Sequence, residues 1–233
     1  MHDRLDPLRR RLGFLPGAIA VMGKWEPHMG AEQCLREVSA RAAAAVGLAE
    51  ALELAGQPRP YLLSAEGHLL RQPRPGCQLA AQIMIELGAN AEQIRCWPAA
   101  NRTLVELQTL DRMRRQLGVG GLLMITGNYH VPRTGYILRR FVRPLQPARV
   151  LACTDSLIQA VLGLLPSARQ VQLDDVIQRG TRRGPRLVAV AVTEGLALIA
   201  GAIPGLEAWL ADTLRGLARP EQSEMQEPEV QER

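Results

Sequence analysis

A histidine and an arginine stand three positions apart where a short apolar run gives way to a helical pattern. Residues 122–138 read LLMITGNYHVPRTGYIL, with His130 and Arg133 beyond the apolar run. Side chains at positions i and i+3 share one face of a helix, and the first backbone N–H groups of a helix attract anions. The pair is therefore suited to bind a phosphate or a carboxylate, and the imidazole can serve as a general acid or base. The structural alternative is that His130 caps the helix while Arg133 pairs with a surface acid.

Polar side chains also follow the other apolar runs that we interpret as strands. Three of the four histidines fall in these segments, whereas the loops at the opposite strand ends contain none. The segments contribute Gly23, Glu26 and His28; Ser64, Glu66 and His68; Asn101 and Thr103; Thr126 and Asn128; and Thr154, Asp155 and Ser156. Because ligands of open α/β sheets bind beyond the carboxyl ends of the strands, the sequence predicts a site at this edge.

The elements that must position these residues alternate along the chain. Short β-rich runs predict five strands, at 17–23, 60–67, 93–98, 121–127 and 148–154. Longer helical patterns predict helices at 32–56, 76–88, 101–118, 131–142 and 156–165, with two further helices after residue 186. Gly88 is expected to end the second helix, and Pro132 is expected in the first turn of the fourth.

This alternation predicts an α/β fold. Strands separated by helices at this spacing form βαβ units and a parallel sheet. Continuously apolar strands such as LLMI are typical of a sheet covered on both faces. We therefore expect a three-layer, doubly wound domain with a mainly parallel five-stranded sheet over residues 17–218. A basic segment precedes it at 1–16, and a disordered acidic tail follows at 219–233.

Charge and composition narrow the classes of partner. The net charge is +5, and the tail 219–233 carries five glutamates against two arginines. The basic residues are scattered in clusters that solvated helix faces explain better than a nucleic-acid surface does, so no nucleic acid is expected. A protein partner could bind through the acidic tail. The longest apolar stretch, 187–205, contains Glu194 at its centre, which favours a buried helix over a membrane span.

The spacing of the cysteines and the N-terminal sequence indicate a cytoplasmic protein. The four cysteines are widely spaced and form no CxxC pair, which is typical of separate buried thiols in a reducing compartment. The basic and briefly apolar N-terminus has early acids and no convincing cleavage site, so no signal peptide is expected. His28, His68 and His130 match no known metal-ligand spacing, and no metal is predicted.

Three segments carry a resemblance to a known family. AQIMIELGANAEQI, then NRTLVEL, then LLMITGNYHVPRTGYIL resemble the YdcF, SanA and ElyC family, whose members show Asn-x-Thr-x-x-Glu followed by Val-Thr-Ser-x-x-His-x-x-Arg. GAIAVMG and SAEG fit its earlier motifs, and the similarity covers roughly residues 17–205. The resemblance implies a Rossmann-like fold, a bacterial origin, links to cell-envelope upkeep in some members, and binding of a nucleotide-like ligand such as S-adenosylmethionine. It brings no settled reaction.

The resemblance also implies a set of ligand-site residues. Carried over by position, they are Gly23, Arg41, Ser64, Asn101, Thr103, Glu106, Thr126, His130 and Arg133. Arg41 would add a second cation if its helix face points inward, and Glu66 or Glu106 would orient His130 as the acid/base. Thr103 and Glu106 fit a capping box equally well.

One departure from the family pattern stands out. The family usually opens the helix after the second strand with Ser-Glu-Ala, where this chain has Gly76-Cys77-Gln78. An acidic contact is then lost, or Glu66 replaces it. The first reading of function is a soluble protein that binds a small anionic ligand, nucleotide-like or phosphorylated. The alternative is a non-catalytic interaction module with a decayed site.

Overall fold

The computed structural model describes most of the chain up to residue 181. The described residues are 5–23, 31–67, 74–99, 103–181, 191–192 and 194–195. Outside these ranges lie Asn101, His28, His68 and the whole acidic tail. Most of the segment after residue 186, where two further helices are expected, also lies outside them.

Five parallel strands form one sheet, as predicted. They are β1 (Ala18–Val21), β2 (Tyr61–Ser64), β3 (Ile94–Cys96), β4 (Leu122–Thr126) and β5 (Ala148–Ala152), and their order is β3-β2-β1-β4-β5. In the register of the central strand, Ile19 lies opposite Leu62 on one side and Leu123 on the other. The order reverses between β1 and β4, and this point is where doubly wound sheets bind ligands.

In the part of the chain that the structure describes, seven helices flank the sheet. They are α1 (Asp6–Leu12), α2 (Ala31–Leu54), α3 (Gly76–Glu86), α4 (Thr103–Gln116), α5 (Val131–Ile137), α6 (Ser156–Leu162) and α7 (Ser167–Gly180). As expected, α3 ends just before Gly88, which has a φ of +93°, a conformation that glycine adopts without strain. Pro132 lies in the first turn of α5, also as expected. A π-helical stretch, Leu138–Val142, continues α5.

Two apolar cores lie on the two faces of the sheet. Ile19 and Leu123 point into the larger core, which contains buried side chains from α1, α2, α3, α6 and α7. Ala20 and Met124, one residue along each strand, point into the smaller core with side chains from α4 and α5. Successive residues of a strand face opposite sides, and here both sides are covered. The three-layer, Rossmann-like fold expected from the sequence is thus confirmed.

Two helices were not expected. Helix α7 packs against α2, and Gly180 allows the close approach, because a Cβ there would lie 2.1 Å from the carbonyl oxygen of Arg36. Helix α1, inside the basic N-terminal segment, buries Leu8 and Leu12 in the larger core. Asp155, one of the polar residues after the fifth strand, accepts a hydrogen bond from the backbone of Leu157 and so caps α6.

Within the described ranges, no helix combines the length and the hydropathy that crossing a bilayer requires.

Candidate functional site

Polar side chains gather beyond the carboxyl ends of β2, β1 and β4, around the point where the strand order reverses. Three groups make up the site: an arginine network anchored on α2, a pair of carboxyl groups at the end of β1, and a histidine–arginine pair at the start of α5. All three groups come from segments that directly follow a strand or face the strand ends.

Arg41 lies at the centre of the first group and is 1% exposed. Its Nη1 donates to the carbonyl oxygen of Met22 at 3.0 Å. Its Nη2 donates to Glu37 Oε2 at 2.9 Å and to the Tyr129 hydroxyl at 3.1 Å. The same hydroxyl donates to Glu37 Oε2 at 2.6 Å. The side chain of Arg41 therefore points inward, which is the condition for its expected role as a second cation at the site. It links α2 to the ends of β1 and β4.

Glu37 and Tyr129 are members of this network that the sequence interpretation did not select. The i,i+4 spacing of Glu37 and Arg41 on an Ala-rich helix is a signal for an ion pair, but it does not reveal that the pair is buried. The sequence gives no comparable signal for Tyr129, whose hydroxyl bridges the two charged groups.

The carboxyl group of Glu66 lies between two glycines. A Cβ on Gly23 would be 1.9 Å from Glu66 Cδ, and a Cβ on Gly76 would be 2.4 Å from Glu66 Oε2. Both distances are far shorter than van der Waals contact, so both positions must lack a side chain for the carboxyl group to fit. Gly76, where the family pattern has a serine, is one of these two positions. The hypothesis that Glu66 replaces the lost acidic contact stays a prediction.

Glu106 approaches the same place from the first turn of α4. Its Oε1 accepts a hydrogen bond from the backbone N–H of Gly23 at 3.0 Å. Glu106 thus contacts the end of β1, a role beyond the capping box that its spacing fitted. Glu66 and Glu106 consequently flank Gly23 and form what we call the carboxyl pair.

Both groups of the carboxyl pair titrate near neutral pH. Burial raises the pKa of Glu66 to about 7, against the opposing charge of Arg41. Burial, together with the charge of Glu66, raises the pKa of Glu106 to about 8, against the opposing effects of the Gly23 N–H and of Arg41. Like charges at one place disfavour double ionisation. At neutral pH the pair therefore retains a proton that it can donate.

His130 and Arg133 converge on a single carboxylate, that of Glu194. His130 Nδ1 lies 3.2 Å from Glu194 Oε2, and Arg133 Nη1 lies 3.7 Å from Glu194 Oε1. His130 is 2% exposed, whereas the side chain of Arg133 is 21% exposed. Both side chains therefore reach the same carboxylate, as their spacing of three residues indicates. The sequence interpretation had Glu66 or Glu106 orienting the imidazole, and the carboxylate found at Nδ1 is instead Glu194.

Helical backbone begins at Asn128, before the predicted helix start at residue 131. A 3-10 turn covers Asn128–His130, and the N–H of His130 donates to the carbonyl oxygen of Gly127 at 3.0 Å. That N–H is therefore engaged inside a turn. The rings of Tyr129 and His130 meet edge to face with centroids 6.5 Å apart, which places the histidine–arginine pair beside the arginine network.

The remaining candidates occupy the strand ends. Ser64 and Thr126, the last residues of β2 and β4, are buried, and within the described residues their hydroxyl groups have no hydrogen-bond partner. Asn128 Oδ1 accepts a hydrogen bond from the backbone of Tyr129 at 2.9 Å. Thr103 is the first residue of α4. In the same ranges, no three histidine, cysteine or carboxylate side chains converge as metal ligands would.

A small cavity borders the arginine network. Glu37, Arg41, Tyr129 and Cys153 are among its lining residues, and its volume is about 10 Å³, which is room for about one water molecule. A larger ligand could enter this cavity only by displacing side chains.

The charges at the site are mixed. Arg41 and Arg133 are opposed by Glu37 and Glu194 and by the carboxyl pair. A ligand with negative charge alone would face these carboxylates. A ligand that combines an anionic group with hydroxyl or amino groups would find a partner for each.

Comparison of the chain with models of protein families, with curated proteins and with solved structures gave no match. The resemblance to the YdcF, SanA and ElyC family therefore stays a prediction, and the functional argument depends on the geometry alone.

Proposed function

We propose that the protein binds a small phosphorylated or nucleotide-like ligand at the carboxyl edge of its sheet, over the point where the strand order reverses. The observation that carries this proposal is the convergence of His130 and Arg133 on one carboxylate. Two side chains that hold an internal carboxylate from two directions can hold the phosphate or carboxylate of a ligand in the same way. Guanidinium groups bind both kinds of anion with charge-assisted hydrogen bonds.

The carboxyl pair supplies the second half of the recognition. Glu66 and Glu106 lie across the end of β1 and titrate near neutrality. They suit hydroxyl or amino groups, such as those of a ribose or of an amino acid. S-adenosylmethionine combines such groups with a carboxylate and belongs with nucleotides and polyprenyl phosphates in the first set of ligands to test.

The same residues could move a proton. His130, with Glu194 at its Nδ1, would act as the general acid or base, because a carboxylate at one ring nitrogen fixes the orientation of the imidazole.

Calorimetric titration of wild type and of Arg133→Ala tests the proposal. The ligands are nucleotides, S-adenosylmethionine and polyprenyl phosphates. We expect at least one to bind wild type, and we expect Arg133→Ala to weaken it by about 1.5–3 kcal/mol, the usual size of a charged hydrogen bond. Arg140→Ala is the matched control, since Arg140 is exposed on the same helical segment. Equal affinities for wild type and Arg133→Ala would contradict the proposal.

One observation favours a second candidate, the non-catalytic interaction module. Glu194 already occupies the position between His130 and Arg133, and the neighbouring cavity holds about one water. In that case every titration stays flat, and a protein partner copurifies equally well with wild type and with Arg133→Ala.

A further inference from the structure

Two of the four cysteines meet at the same edge of the sheet. Cys96 is the last residue of β3, and Cys77 is the second residue of α3. Although they are 19 positions apart in the chain, their sulfur atoms are 2.6 Å apart and share a hydrogen bond. The sequence interpretation expected four separate thiols, and this contact is therefore unexpected.

Regular backbone structure fixes both cysteines in place. Cys96 pairs with Ser64 in the ladder between β2 and β3, and the next residue, Trp97, donates to the carbonyl oxygen of Ser64 at 3.1 Å. On the other side, the N–H of Cys77 donates to the carbonyl oxygen of Glu66 at 2.9 Å. The two sulfur atoms meet because β2 positions both neighbouring elements.

The two thiols differ in access and in acidity. Cys77 is fully buried, whereas Cys96 is partly exposed. The hydrogen bond between the two thiols lowers the pKa of Cys96, and the same hydrogen bond together with burial raises the pKa of Cys77. An accessible thiol of lowered pKa beside a second, sheltered thiol is the usual arrangement of redox-active cysteines.

We propose that Cys77 and Cys96 form a reversible redox site, in which a hydroperoxide oxidises the two thiols to a disulfide. The Cys96 thiolate attacks the terminal oxygen of the hydroperoxide, so that an S–O bond forms, the O–O bond breaks, and the departing alkoxide takes up a proton from solvent to become an alcohol. The sulfur of Cys77 then attacks the sulfenic sulfur of Cys96, the S–S bond forms, and the hydroxyl group leaves with the Cys77 proton as water. Two electrons pass from the thiols to the hydroperoxide.

The disulfide would join the first turn of α3 to the end of β3, directly beside the carboxyl pair. Gly76, the neighbour of Cys77, lies against the carboxyl group of Glu66. Oxidation of the two cysteines would thus affect the candidate ligand site through Gly76. The formation of the disulfide itself does not depend on the proposed function.

Thiol counting on the full chain tests this proposal. Reduced protein, freed from reductant, is treated with hydrogen peroxide, and the remaining thiols are alkylated and counted. We expect wild type to lose two of its four thiols, dithiothreitol to restore them, and peptide mapping to find Cys77 linked to Cys96. Cys34→Ser, a buried control in α2, should lose the same two thiols.

Two single variants separate the roles of the thiols. Cys77→Ser should stop at a sulfenic acid on Cys96, which dimedone traps, and Cys96→Ser should keep its remaining thiols under the same treatment. The proposal is overturned if folded wild type retains all four thiols, if the bond links other cysteines, or if Cys96 becomes a sulfinic acid while Cys77 stays reduced.

Discussion

At the scale of single residues, Glu66 depends on two glycines for its place. A methyl group on Gly23 would lie 1.9 Å from Glu66 Cδ, and Gly76 lies on the other side of the buried carboxyl group, so the Glu66 side chain would have to shift. We predict that Gly23→Ala lowers the free energy of unfolding by about 1–3 kcal/mol, the usual cost of overpacking. Glu66→Ala in the same chain should recover most of that loss. Urea unfolding of the two single variants and the double variant measures the coupling.

Gly120 provides the control for this cycle. A Cβ there meets no atom within 4 Å, so Gly120→Ala should change the stability little. If Gly23→Ala costs the same with and without the Glu66 side chain, the two residues do not share the space described above.

The carboxyl pair also gives the stability a characteristic pH dependence. Folding raises the pKa values of Glu66 and Glu106 from 4.5 to about 7 and about 8, so the folded state binds more protons than the unfolded state between these limits. The stabilisation by these protons is fully present below pH 4.5 and is lost as the pH rises through the folded pKa values. Each proton contributes a slope of about 1.4 kcal/mol per pH unit.

Glu106→Gln isolates one of these protons. The variant keeps an oxygen that accepts the Gly23 N–H, and its unfolding free energy should fall less steeply with pH than that of wild type, by about 1.4 kcal/mol per pH unit between pH 5 and pH 7. Glu92→Gln, a change at an exposed position, is the control. Parallel curves for Glu106→Gln and wild type would show that Glu106 ionises normally in the folded protein.

The identity of the residues at the site was predictable to a greater extent than their pairing. His130 and Arg133 follow from local spacing, because both lie within one helical turn. The contact of Glu194 with them joins segments about 60 positions apart, which spacing does not encode. The raised pKa values of the carboxyl pair likewise arise from burial, which only the assembled fold creates.

At the scale of elements, the arginine network fixes helix α2 to the turn after β4. The buried Tyr129 hydroxyl bridges Glu37 and Arg41. Removing this hydroxyl leaves each of the two charged groups with one hydrogen-bond partner fewer. We predict that Tyr129→Phe lowers the free energy of unfolding by about 1–3 kcal/mol, as measured by urea titration.

Tyr136→Phe provides the comparison. Tyr136 packs edge to face on Phe141, and in the described part of the chain no hydrogen bond to its hydroxyl is formed. Its loss should change the stability by no more than about 0.5 kcal/mol. Equal effects of the two variants would mean that the Tyr129 bridge contributes nothing in solution.

The order and type of most elements follow from the sequence, because apolar strands and Ala- or Leu-rich helices have distinct periods. Helix α7 was missed although Leu173, Val176, Ile177 and Gly180 follow a helical period, since charged residues and glutamines dilute the pattern. The N-terminal helix α1 was read as a basic segment, because its three arginines obscure the buried Leu8 and Leu12.

At the scale of the whole molecule, the two edges of the sheet differ in chemistry. Ionisable groups from α2, α4, α5 and the strand ends meet at the carboxyl edge, whereas the helices approach the opposite edge through loops that are free of histidine. The doubly wound topology produces this division, because every parallel strand delivers its following loop to the same side. The proposed function would therefore belong to the carboxyl edge alone.

A crystal structure of the protein with the tightest-binding compound of the ligand set tests the central claim most directly. We predict that the anionic group of the compound contacts Arg133 and His130, in the position that Glu194 occupies alone, with polar groups directed toward Glu66 and Glu106. A compound bound at another surface, with the Glu194 carboxylate still between His130 and Arg133, would contradict the account.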